Sequence, residues 1–129
     1  MRILVIEAAD SVRSMIETFV SAGGHEVEAV ASGAKGIDSA MARPPEAILV
    51  DVDLPTPSDG LEVCRKLRAE GATREVPIMA ISEHADDASK ERALEAGASA
   101  YYTKPFSPTA LLKELESIGA RESTKIALR

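Results

Sequence analysis

Four side chains in this sequence carry the parts of a phosphoryl-transfer site: Glu7, Asp51, Ser82 and Lys104. An aspartate carboxylate can attack phosphorus and form an acyl phosphate. A second carboxylate beside it is repelled and its pKa rises. A hard cation such as Mg²⁺, which accepts one or two carboxylates together with phosphate oxygens and water, removes that conflict. A serine hydroxyl can hydrogen-bond a transferred oxygen, and a lysine can meet charge as it develops. Each residue also has a plainer explanation. Asp51 fits a turn, Glu7 a solvated strand end, Ser82 a helix cap before Glu83 and His84, and Lys104 an ordinary surface lysine. The grouping, not any one residue, points to phosphate chemistry.

The elements that must position these residues are legible in the hydrophobic pattern. Five apolar stretches recur at residues 3–6, 27–30, 47–50, 78–81 and 100–102. Segments at helical spacing lie between them. Val12, Met15, Ile16, Phe19 and Val20 share one face; Ile37 and Met41 make a weaker one. Leu61, Cys64 and Leu67 mark a third, and Leu111, Leu112, Leu115 and Ile118 a fifth. The fourth, with Ala88, Ala93, Leu94 and Ala96, has a poor apolar stripe. Asp10 is placed to cap the first helix, Gly23 and Gly24 to end it, and Pro44 and Pro45 to close the second. Gly71 and Gly97 close the third and fourth. Ser107 followed by Pro108 is a cap with proline at the first helical position.

This pattern predicts an α/β fold: (βα)5, a doubly wound five-stranded parallel sheet of the flavodoxin-like type, covered on both faces. Ligands of such sheets sit at the carboxyl ends of the strands, near the switch in strand order. Glu7, Asp51, Ser82 and Lys104 all fall at such ends.

Composition narrows the partners. The chain has 129 residues, 45% of them hydrophobic and 3% aromatic, so an aliphatic core is expected. The net charge of -6 and the lack of a basic run argue against direct nucleic-acid binding. Cys64 alone excludes an internal disulfide or a cysteine-rich zinc site. No apolar stretch approaches the ~18–20 residues of a membrane span. The opening residues lead into a strand rather than a signal-peptide core, so a cytoplasmic protein is expected. Residues 1–118 read as the domain, and residues 119–129, with Arg121, Lys125 and Arg129, as a frayed tail or the start of a linker.

Several motifs together resemble response-regulator receiver domains. Residues 3–7 followed by Ser11, Val12 and Arg13 look like a receiver opening. Asp51, Val52, Asp53, Leu54 and Pro55, then Asp59 and Gly60, look like the phosphoacceptor segment. Gly97, Tyr101 and Lys104-Pro105-Phe106 look like the closing signature. The resemblance implies Asp51 as phosphoacceptor, with Ser82 as switch hydroxyl, Tyr101 as switch aromatic and Lys104 as phosphate-pairing lysine. It implies a cis bond before Pro105 and a Mg²⁺ held by Glu7, Asp51 and the backbone carbonyl of Asp53. It also implies a histidine kinase or phosphotransfer protein as donor, docking at the first helix and the loop before Ser107. An output protein or domain would read the face around Tyr101 and Tyr102. Such a module is a switch and not a dedicated enzyme.

The sequence departs from that family in three places. Ala8 stands where a direct Mg²⁺ ligand is usual, which should weaken the metal; Asp10 or Glu83 are candidates to compensate. The loop after Asp51 reads as one residue longer. Glu83 replaces a small residue. These departures keep a second reading open, a pseudo-receiver that binds partners without phosphate. A phosphatase of the haloacid dehalogenase type also uses an Asp-x-Asp, as in Asp51 and Asp53. It needs that motif near the start of the domain and a later acidic pair, whereas only Glu114 and Glu116 follow Lys104.

Overall fold

A computed structural model describes residues 1–54 and 60–127, with side chains as far as residue 118. Strands β1 (Arg2–Ile6), β2 (Glu26–Val30), β3 (Ala47–Asp51), β4 (Ile78–Ser82) and β5 (Ala100–Thr103) alternate with five helices. These are α1 (Asp10–Ala22), α2 (Gly33–Ala42), α3 (Gly60–Ala69), α4 (Asp87–Glu95) and α5 (Pro108–Ala127). The strands form one parallel sheet in the order β2-β1-β3-β4-β5, as the alternating pattern predicts. The order reverses between β1 and β3, so the switch point lies between the ends that carry Glu7 and Asp51.

Successive residues of a strand point to opposite faces, and here each face has its own core. Leu4, Ile6, Ile48, Val50, Ile78 and Ala80 meet α2, α3 and α4 on one side. Ile3, Val5, Leu49, Met79 and Ile81 meet α1 and α5 on the other. This two-sided burial is why the strands read as continuous apolar runs. Tyr101 and Tyr102, grouped on one output face by the sequence, are split by the same alternation. Tyr101 packs against the first core and Tyr102 against the second.

Three local expectations are corrected. In α1, Ile16 and Val20 are buried, but Met15 and Phe19 are 39% and 36% exposed. The helix turns a narrower stripe to the sheet than its apolar residues suggest. Asp10 is not the cap of α1. Ala9 takes that position without a side-chain bond, and the Asp10 carboxylate accepts from Arg13 Nη2 at 2.5 Å. Where the sequence pattern points to a tail or linker start after Ile118, α5 continues to Ala127. Good helix formers, with no proline after Pro108, carry the backbone on without an apolar stripe. The longer loop after Asp51 runs through residues 55–59 and lies outside the described residues.

The other punctuation holds. Ser107 Oγ accepts from Ala110 N at 3.3 Å ahead of Pro108, and Gly97 after α4 takes a φ of 117°. At the edge of the sheet away from the candidate site, Arg68 acts as a staple. It donates from Nε to the Gly97 carbonyl at 2.9 Å and from Nη1 to the Val76 and Arg74 carbonyls at 2.5 and 2.9 Å. Nη2 reaches Ser99 Oγ at 3.2 Å. The guanidinium fork thus satisfies carbonyls of two loops that lead into β4 and β5.

Candidate functional site

Glu7 follows β1, Asp51 ends β3, Ser82 ends β4 and Lys104 follows β5. The parallel register brings these ends together, with Val52 N donating to the Ile81 carbonyl at 2.8 Å and Lys104 N to the Ser82 carbonyl at 2.7 Å. The Lys104–Pro105 peptide is cis. Glu7 and Ser82 are buried, and Asp51 is 5% exposed.

Lys104 Nζ donates to Glu7 Oε1 at 2.7 Å and lies 3.6 Å from Asp51 Oδ2. Burial lowers the Lys104 pKa, but the Glu7 bond and the Asp51 and Glu7 charges outweigh it and leave it raised. Glu7 is pushed up to about 7 from 4.5, first by burial and then by a hydrogen bond with Asp51, against the opposing effect of Lys104. Two ionised carboxylates have only acceptors to offer, so the bond between them requires a proton. With Glu7 ionised, its buried Oε2 has no hydrogen-bond partner. A proton or a cation would satisfy that atom.

The main-chain path around Glu7 is fixed by Arg13, whose Nη1 donates to the carbonyls of Glu7 and Ala8 at 3.0 and 3.3 Å. Sequence pattern alone did not mark Arg13 as a site residue. The two candidates to compensate for Ala8 are placed differently. The Asp10 carboxylate is held by Arg13 and is 90% exposed. The exposed Glu83 lines a groove of about 520 Å³ with Val12, Met15, Lys104, Pro105 and Phe106. Among the described residues no three His, Cys, Asp or Glu side chains converge as a metal cage.

Asp53 holds the β4–α4 loop through its side chain, whereas sequence reasoning assigned a role only to its backbone carbonyl. Its carboxylate accepts from Ser82 Oγ at 3.0 and 3.2 Å and from Glu83 N at 2.8 Å. His84 Nε2 lies 3.8 Å from Oδ1. Ser82 Oγ accepts in turn from His84 N at 3.1 Å, and the Tyr101 hydroxyl donates to the His84 carbonyl. Asp53 N donates to Asp51 Oδ1 at 2.9 Å, which ties the two acids into one turn. This role follows from the register of the folded sheet, in which β3 pairs Asp51 with Ile81, and not from any local sequence signal. Gly60 makes room for the turn, because a Cβ there would stand 2.3 Å from the Asp51 carbonyl oxygen and 2.5 Å from Val52 Cα.

Comparison with known proteins bears on the family and the fold. Residues 3–116 match the response regulator receiver domain family. The transcriptional regulatory protein AfsQ1 of Streptomyces coelicolor is 35% identical over 97% of this chain and 55% of its own length. The response regulator MprA of Mycobacterium avium is 34% identical over 92% of this chain and 50% of its own. The chain thus spans about half the length of these curated relatives. A putative response regulator from Chloroflexus aurantiacus superposes with a TM-score of 0.87 at 32% identity, covering 92% of this chain and 97% of that one. The receiver domain of the sensor histidine kinase PA1611 from Pseudomonas aeruginosa, with a magnesium ion in its active-site cleft, gives 0.85 at 33% identity, covering 92% of this chain and 97% of that one.

Proposed function

The chain belongs to the response regulator receiver domain family, and from that membership we propose that Asp51 accepts a phosphoryl group from a phosphohistidine of a kinase or phosphotransfer protein. An Asp51 carboxylate oxygen attacks phosphorus, the P–N bond breaks, and the imidazole leaves with the bonding electrons. The observation that carries this reading is Lys104 Nζ, 2.7 Å from Glu7 Oε1 and 3.6 Å from Asp51 Oδ2. A fixed cation beside the nucleophile, in a site sheltered from water, is what a developing phosphoryl charge needs.

Mg²⁺ fits the remaining donors in part. Glu7, with its unpartnered Oε2, Asp51 and the Asp53 carbonyl would hold it, and Ala8 offers nothing. Bound there, the ion would neutralise phosphoryl oxygens. We place the donor protein in the groove of Val12, Met15, Pro105 and Phe106, where exposed Met15 offers apolar contact. Phosphorylation adds about -1.5 to -2 charges and strong acceptors near Ser82. Tyr101, linked to Ser82 through His84, then presents the result to an output partner. We read the module as a cytoplasmic switch and not a dedicated enzyme. Ala8 favours the second reading, a pseudo-receiver whose Tyr101 face binds a partner without phosphate.

Intact mass after incubation with a small phosphodonor, with and without Mg²⁺, separates the two. Gain of one phosphate by the wild type and none by Asp51→Ala is the expected result. No gain in folded protein at any Mg²⁺ concentration would leave only the pseudo-receiver.

A further inference from the structure

Phosphoryl transfer to Asp51 leaves the Asp53 carboxylate unused, yet it is the most heavily engaged acid in the loop cluster. Its oxygens accept the Ser82 hydroxyl and the Glu83 amide, the donors at the end of β4. Strand β3 pairs Asp51 with Ile81, so these donors lie one and two residues past the partner of Asp51, within the strand-end cluster where an acyl phosphate would seek hydrogen-bond donors. A carboxylate oxygen and a phosphoryl oxygen are both anionic acceptors of charge-assisted hydrogen bonds. From Ser82 the connection continues without a break. His84 N donates to Ser82 Oγ, and the Tyr101 hydroxyl donates to the His84 carbonyl. The Tyr101 ring already packs against the core on the α3 and α4 side.

We propose that the Asp53 carboxylate is a resident substitute for a phosphoryl oxygen, a positioning residue that holds Ser82, the β4–α4 loop and Tyr101 inward before any phosphate arrives. Phosphorylation then takes over bonds that already exist, and its effect on the Tyr101 face is consolidation. The inference rests on the reading of Ser82 and Tyr101 as the switch pair, but needs no phosphorylation of Asp51.

The test uses the unphosphorylated 129-residue chain labelled with 3-fluorotyrosine. The sequence has two tyrosines, so Tyr102→Phe assigns the Tyr101 fluorine signal. Wild type is expected to give one narrow, ring-buried Tyr101 resonance. Asp53→Ala removes the acceptor, and is expected to add a second, solvent-exposed resonance and to speed exchange of the Glu83 and His84 amides on the order of tenfold. Asp53→Asn keeps an acceptor oxygen and loses the charge; it is expected to fall between wild type and Asp53→Ala, because the bonds remain but lose their charge assistance. Unchanged Tyr101 and amide signals in Asp53→Ala would overturn the proposal. So would a Tyr101 signal in wild type that already averages between two environments, a result that does not depend on how any Asp53 variant folds. Failure of Asp51 to gain phosphate in the mass experiment, with the Tyr101 result intact, would sink only the phosphoacceptor reading.

Discussion

Ala8 has its consequence in a single missing carboxylate. In the proposed site the residues left to hold Mg²⁺ are Glu7, Asp51 and a carbonyl, so half of an octahedral shell would be water. Ala8→Asp is expected to raise Mg²⁺ affinity on the order of tenfold or more, read by titration calorimetry. No change would mean that other groups already hold the ion. Gly60 is the second such position, because its missing side chain lets the backbone of Asp51 and Val52 pass. The atoms a Cβ would meet are main chain and cannot rotate away. Gly60→Ala is therefore expected to shift Asp51 and slow phosphoryl uptake on the order of a hundredfold. Wild-type rates in a folded Gly60→Ala protein would contradict the close approach. At this scale the four chemical groups were legible because their types and their places after apolar runs were both in the sequence. The Asp53 side-chain bonds were not, since they depend on register between strands far apart in the chain.

Arg68 joins the segments leading into β4 and β5 through one guanidinium. Removing it takes the donor away from the Gly97, Arg74 and Val76 carbonyls together. Arg68→Ala is expected to cost about 3 kcal/mol in chemical denaturation; Arg68→Lys, a point charge without the fork, should recover only part. Helix α4 contributes Ala93 to the core and leaves Leu94 41% exposed, consistent with the poor stripe in its sequence. The order and type of all ten elements followed from apolar period and turn residues. The misreadings came where periodicity cannot tell buried from exposed. Met15 and Phe19 extend the α1 stripe past the width of sheet available, and Asp10 was drawn to Arg13 instead of to the helix end. In α5, propensity carried the helix beyond its apolar face.

The stability of the whole domain should carry the signature of Glu7. In the folded chain its pKa is raised to about 7 from 4.5, so the folded state holds this proton more tightly than the unfolded state. That contribution is complete below 4.5 and is lost as pH rises through about 7. Each tenfold difference in proton affinity between the two states corresponds to about 1.4 kcal/mol. A loss on the order of a few kcal/mol across the window is expected. Urea denaturation in chelator at several pH values should show it, and Glu7→Gln should flatten that part of the curve. A Glu7→Gln profile parallel to wild type would rule the effect out.

The strand alternation that gives each face its own core also separates two dialogues. The groove where a donor would dock borders α1 and Phe106, on the Tyr102 side, while Tyr101 belongs to the α3 and α4 side. The two sides share the backbone of the strands that lies between them. The sheet is thus a party wall. A lineage could redecorate the rooms on one side, exchanging the kinase it listens to, without disturbing the neighbour it speaks to, and rewiring of input and of output would be inherited as separate traits.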